Sequence, residues 1–143
     1  MSHSFPSCPL CRPTGETVLW QTPRWRVIAV GNEPGVPAFC RVIWQAHVAE
    51  MTDLTPAERQ ALMEAVFRVE AGMRQILRPS KINLASLGNM VPHLHWHVIA
   101  RFEDDAHFPA PIWAAPKHKR TPALPEDWQQ QLAAYLAGNG PNG

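Results

Sequence analysis

Apolar residues follow two different rhythms along the chain. Pro6, Pro9, Pro13 and Gly15 block regular structure at the start, so residues 1–16 read as a loop. Short β-prone runs follow at Thr17–Gln21, Trp25–Val30 and Phe39–Trp44, lengths that suit strands. Residues 31–37, with two Gly, two Pro and an Asn, have the composition of a turn. Connections this short cannot make parallel crossovers, so the three runs predict an antiparallel meander.

The rhythm changes at Thr55. This residue suits an N-cap, Pro56 suits the first helical position, and Glu58 completes a capping box. Leu62, Val66, Val69, Met73 and Ile76 then recur at three- and four-residue spacing, one apolar stripe of a helix over Pro56–Leu77. Arg78-Pro79 ends it. Gly72 costs this helix about 1 kcal/mol relative to Ala, and is expected to permit close packing on a sheet. Two more strands, Lys81–Leu87 and His93–Arg101, flank the loop Gly88-Asn89-Met90-Val91-Pro92. Residues 102–125 are rich in Pro, His and Trp without a period and predict an ordered, irregular extension. Trp128, Leu132, Tyr135 and Leu136 share one face of a short helix over Glu126–Ala137, and residues 138–143 are expected to be disordered. The class is therefore α+β: an antiparallel sheet of about five strands, one long helix packed on it, and a short C-terminal helix.

Bulk properties narrow the setting. A length of 143 residues with 45% hydrophobic content suits one domain with one core. That domain is expected over residues 1–137, with its core at about 17–101 and the extension at 102–137. Thirteen Lys and Arg against twelve Asp and Glu give a formal charge of +1, which argues against a nucleic-acid polymer as partner. The basic run from Lys117 to Arg120 reads as a solvated loop. No apolar stretch approaches the roughly 20 residues of a membrane span, and Met1–Pro6 lacks a signal-peptide pattern. A cytoplasmic protein without a membrane partner is expected.

Seven histidines are present, and three fall within five residues. On a strand, His93, His95 and His97 share one face, while Leu94, Trp96 and Val98 take the other, as a core requires. Imidazole titrates near neutrality, so it serves as nucleophile, base or metal ligand. A half-exposed polar face is one reading of the row, and a three-histidine metal site is another. Parallel side chains on a flat strand converge poorly on one ion, which favours a central nucleophile with flanking helpers. Cys8-Pro9-Leu10-Cys11 is a C-x-x-C in a Pro-rich loop. It is open to metal binding, to unpaired thiols, or to redox chemistry, the last disfavoured away from a βαβ turn. Cys40 lies in a strand and reads as a small buried apolar residue.

His93-Leu94-His95-Trp96-His97-Val98-Ile99 matches His-φ-His-φ-His-φ-φ, with φ apolar, and the chain here resembles the histidine triad (HIT) family. Lys81-Ile82-Asn83-Leu84, the Gly88–Pro92 loop, and His47-Val48-Ala49-Glu50-Met51-Thr52-Asp53-Leu54 resemble elements of the same family, so the likeness covers roughly residues 17–101. The resemblance implies a nucleotide hydrolase or nucleotidyltransferase with a nucleotide substrate, working as a homodimer. It cleaves at the α-phosphate of a nucleoside 5′-phosphate derivative, of the dinucleoside polyphosphate or phosphoramidate type. It implies that His95 attacks phosphorus to form a covalent nucleotidyl-histidine, that His97 contacts the phosphate, and that His93 supports the site by hydrogen bonding. Asn83, Gly88 and Asn89 are then expected near the phosphate, and Asn32 near the ribose. It further implies a structural zinc held by Cys8, Cys11, His47 and His93, with no organic cofactor.

The chain departs from the family pattern. Met90 stands where many relatives carry Ser or Thr, Asn89 replaces the commoner Gln, and no carboxylate other than Glu33 is near the expected ribose contact. These departures keep an alternative in view, a catalytically weak nucleotide-binding or zinc-stabilised regulatory module, and behind it a metal-storage role for the histidine row. Trp25, Phe39 and Trp44 are candidates for a base pocket or for the core, and His107 is a candidate for its border.

Overall fold

The helix-forming signals at Thr55 operate as the sequence suggests. The Thr55 hydroxyl accepts from the Glu58 N–H at 3.2 Å, and the Glu58 carboxylate accepts from the Thr55 N–H at 2.8 Å. Two of the orphan donors at the helix start are thereby satisfied. Helix α1 runs over Pro56–Leu77 and stops at Arg78, which adopts a left-handed conformation with φ 49°. The computed structural model describes residues 7–31, 35–36 and 38–139. Its strands are β1 (Thr17–Gln21), β2 (Trp25–Ala29), β3 (Ala38–Trp44), β4 (Lys81–Ala85) and β5 (His95–Arg101). They form one sheet in the order β1-β2-β3-β5-β4, with every neighbouring pair antiparallel.

Several element ends differ from expectation. The last regular strand starts at His95, not His93, because the chain is still turning there: the His93 N–H donates to the Val91 carbonyl at 2.8 Å. Strand β4 ends at Ala85, two residues early. The C-terminal helix α2 covers only Trp128–Ala134 and widens into a final turn, Tyr135–Asn139. Gly138 and Asn139, expected to be disordered, belong to that turn, whereas residues 140–143 lie outside the described residues.

Strand alternation divides the sheet into two unlike faces. Val27, Val42, Val98 and Ala100 point to one side and join Leu62, Val66, Val69 and Met73 of α1 in a fully buried core. Gly72 serves a different neighbour from the one expected. A Cβ there would come within 2.7 Å of Leu132 and 2.8 Å of Tyr135, so its role is to seat α2 rather than to approach the sheet. Trp25 and Trp44 pack on this helix side, which removes both as candidates for a base pocket on the histidine face.

The opposite face carries Ile28 and Arg26 from β2, Phe39, Arg41 and Ile43 from β3, and His95, His97, Ile99 and Arg101 from β5. Among the described residues, loops cover it. At one end Cys8 and Leu10 pack on Ile28 and Ile43. Arg26 anchors that loop, reaching both Glu16 carboxylate oxygens at 2.7 and 2.9 Å and the Leu10 carbonyl at 2.9 Å. At the other end the segment after β5 folds back. Arg101 and Asp105, with side chains 2% exposed, form a two-point ion pair at 2.9 and 3.1 Å. Asp105 also accepts the N–H groups of Phe102, His107 and Phe108, and Arg101 donates to the Ala110 carbonyl at 2.7 Å.

Candidate active site and metal centre

A carbonyl oxygen can only accept, so its partner reveals where a ring proton sits. His95 Nδ1 lies 2.6 Å from the His93 carbonyl oxygen and must donate to it. The other nitrogen, Nε2, therefore carries the lone pair. Burial pulls the His95 pKa down, the hydrogen bond to the His93 carbonyl opposes this, and the Arg41 charge lowers it further, for a net decrease. The result is an unprotonated, oriented imidazole near neutral pH, the state a nucleophile needs. His95 is 8% exposed, against 0% for His93 and 4% for His97. Its ring is recessed without being sealed, and the reading of the row as a half-exposed polar face is excluded.

His97 stands edge-on to His95 with ring centroids 5.0 Å apart, and Phe39 and Trp113 flank it at 5.2 and 5.4 Å. Burial, then His95 and Arg41, hold its pKa down to about 4. Its buried Nδ1 has no hydrogen-bond partner among the described residues. A buried polar atom of this kind calls for a ligand or a water. Arg41 pairs directly with His97 across β3 and β5, its guanidinium resting over the Phe39 ring at 5.4 Å. Arg41 is not among the residues that the sequence pattern singles out. The clue was there: once β3 pairs antiparallel with the histidine strand, Phe39, Arg41 and Ile43 share a face, and Arg41 is the polar member.

His93 is turned to a second task. Its Nε2 donates to the Trp44 carbonyl at 2.6 Å, which leaves Nδ1 as the lone-pair nitrogen. That Nδ1 faces Cys8 Sγ at 3.5 Å, Cys11 Sγ at 3.5 Å and His47 Nδ1 at 3.2 Å, and Cys11 Sγ lies 3.2 Å from His47 Nδ1. All four donor atoms fall within 4.8 Å of one another. A tetrahedral zinc, with bonds of about 2.3 Å to sulfur and about 2.0 Å to nitrogen, sets ligand atoms roughly 3.3 to 3.8 Å apart. The spacing, the soft-and-borderline donor set and the second-shell carbonyl on His93 all fit that ion. The support His93 gives to His95 comes from its main chain, while its ring belongs to this cluster. Cys40 stands apart, its thiol pushed up to about 12 by burial.

The remaining expected residues are placed less uniformly. Asn83 projects from β4 on the histidine face, and its side-chain oxygen accepts from Arg101 at 2.8 Å. Gly88 takes φ 75°, a conformation that explains the glycine. Asn89 is exposed on the same loop and Met90 is 93% exposed, neither bonded to a triad ring among the described residues. Asn32 and Glu33 lie outside the described residues. His107 is buried beside Gly35 of the β2–β3 connection, and its Nδ1 finds no partner among the described residues.

The chain matches known proteins in sequence and in fold. Residues 14–104 match the HIT domain family. A protein named bis(5′-nucleosyl)-tetraphosphatase (asymmetrical), from Schizosaccharomyces pombe, is 31% identical over 98 residues, covering 65% of this chain and 53% of that protein. The chain spans about half the length of the curated relatives it matches. Among solved structures, a histidine triad protein of Sinorhizobium meliloti is 28% identical with a TM-score of 0.68, covering 87% of this chain and 89% of the other. A zinc-bound histidine triad family protein of Mycobacterium smegmatis shares the fold, with a TM-score of 0.64 at 20% identity over 92% of this chain and 94% of the other.

Proposed function

Because this chain belongs to the HIT domain family, we propose that it is a nucleotide hydrolase or nucleotidyltransferase acting on a dinucleoside polyphosphate or nucleoside phosphoramidate, with His95 as nucleophile. The observation that carries the reading is the 2.6 Å bond from His95 Nδ1 to the His93 carbonyl. It fixes the tautomer and aims the Nε2 lone pair away from the backbone. In the first step Nε2 attacks the α-phosphorus, a P–N bond forms, and the bond from phosphorus to the leaving atom breaks, its electron pair departing with the leaving group. A leaving phosphate oxygen departs as its anion, and a leaving nitrogen takes a proton from solvent water and departs as the amine. The imidazole positive charge that develops is shared with the Nδ1–H bonded to the His93 carbonyl. In the second step water or another acceptor displaces His95, returning the ring to its neutral form and releasing the nucleoside monophosphate or its ester.

Charge accumulates on the phosphoryl oxygens as the transition state forms, and preorganised donors stabilise it. Arg41 supplies a full positive charge from the same face, and His97 remains neutral and able to donate from one ring nitrogen. Asn83 has its carbonyl oxygen held by Arg101, which leaves its NH₂ group to donate. A zinc at Cys8, Cys11, His47 and His93 would be structural, because four protein ligands leave no open position for a substrate. It would clip the N-terminal loop to the sheet and steady the main chain at His93.

The test is mass spectrometry of protein mixed with a dinucleoside tetraphosphate and quenched within seconds. The expected result is a nucleotidyl adduct on His95 and release of a nucleoside phosphate, both lost in His95→Ala. Turnover that survives in His95→Ala overturns the assignment. Binding without turnover in the wild type would favour the catalytically weak module instead.

A further inference from the structure

We propose that Trp113 is a specificity-determining residue whose indole face stacks an aromatic leaving group while phosphorus is transferred to His95. The inference rests on the function proposed above and extends it to the part of the substrate that departs. Trp113 touches the ring of His97 at a centroid distance of 5.4 Å, and His97 touches the ring of His95 at 5.0 Å. The indole is thus two ring contacts from the attacking nitrogen.

Burial separates it from the other aromatic beside His97. Phe39 is 2% exposed, a closed wall, while Trp113 is 52% exposed. After the first step the nucleotide stays bonded to His95, and the leaving group must pass to solvent. An aromatic surface at the open rim suits the departing portion, and a buried wall suits the retained one.

The main chain that carries the indole is held at several points. Arg101 holds the Ala110 carbonyl at 2.7 Å, three residues before Trp113, and the Ala114 N–H closes a turn onto the Pro111 carbonyl at 3.0 Å. Beyond it the Lys117 N–H donates to the Ala106 carbonyl at 2.7 Å, and the Lys117 ammonium to the Phe108 carbonyl at 2.8 Å. The buried Arg101–Asp105 pair anchors the whole segment to β5. A platform held in this way loses little conformational freedom when a ring stacks on it. The ligand class that fits is a nucleoside or other planar aromatic group carried on the leaving phosphate.

The experiment compares two substrates that share a nucleoside: a dinucleoside tetraphosphate, with an aromatic leaving portion, and the corresponding phosphoramidate, whose leaving group is ammonia. Wild type, Trp113→Ala and Trp113→Phe are assayed on both. The expected result is a fall of about tenfold or more in the dinucleoside-to-phosphoramidate ratio of kcat/KM for Trp113→Ala, carried by KM, with Trp113→Phe restoring most of it. A ratio that stays constant, or one that falls equally for the Phe variant, overturns the proposal. Calorimetric binding of the dinucleoside and of the nucleoside monophosphate to His95→Ala, with and without Trp113→Ala, separates this outcome from failure of the proposed function. If the wild type turns over neither substrate, the function fails while binding still decides the stacking. A dinucleoside that binds no tighter than the monophosphate with Trp113 present sinks it.

Discussion

Replacing Asp105 by Asn removes the carboxylate that, among the described residues, pairs with Arg101 in the clamp after β5. Burial alone would push this carboxyl up. The hydrogen bonds from Arg101 and from the Phe102, His107 and Phe108 N–H groups outweigh it and hold the pKa at about 2 against an ordinary 3.8. The difference corresponds to about 2 kcal/mol of folding stability at neutral pH. The folded-state pKa is depressed, so that contribution is present in full above about pH 4 and fades as pH falls through about 2. In Asp105→Asn the Arg101 guanidinium, 2% exposed, also loses its counter-charge, and an uncompensated buried charge raises the cost to roughly 3–5 kcal/mol. Urea unfolding of both proteins at pH 7, 4 and 2.5 reads this directly. The unfolding free energies should be far apart at pH 7 and pH 4, and draw together by about 2 kcal/mol towards pH 2. A gap below about 1 kcal/mol at pH 7, or one that does not narrow in acid, would refute the reasoning.

Two further outcomes follow from the site. Cys11→Ala should lose bound zinc measured by elemental analysis after purification in zinc, and should lower the thermal midpoint. Equal zinc content in wild type and variant, with His95→Ala also unchanged, would place the metal elsewhere. Arg41→Gln should weaken binding of a nucleoside monophosphate about tenfold or more while leaving the parent nucleoside within about twofold, since only the former presents a charge to the guanidinium. Calorimetry on the two ligands checks it, and parallel losses on both count against a phosphate role for Arg41.

The helix was legible residue by residue because its signals are local. Thr55, Pro56 and Glu58 define the start and the Arg78-Pro79 step the stop, and both ends fall where these residues put them. The meander and the histidine face were legible because a two-residue period needs no tertiary information. The metal cluster was suggested by likeness to a family, and the four donors do converge. The rest depends on contacts between distant segments. Arg41 acquires meaning only through its pairing with His97, and Asp105 only through the fold-back onto Arg101. Trp25 and Trp44 were plausible pocket walls until the register sent them to the helix side. Trp113 sits in a stretch with no period at all, where no pattern rule applies.

The contact that aims His95 is made by a main-chain atom. Every amino acid offers the same oxygen, so no replacement of the side chain at position 93 can delete that acceptor, and only a displaced backbone can. What keeps the backbone there is the ring of the same residue, fastened to Trp44 on one nitrogen and turned to the cysteines on the other. Damage at the N-terminal loop would thus reach His95 as a change of angle, graded rather than all-or-none.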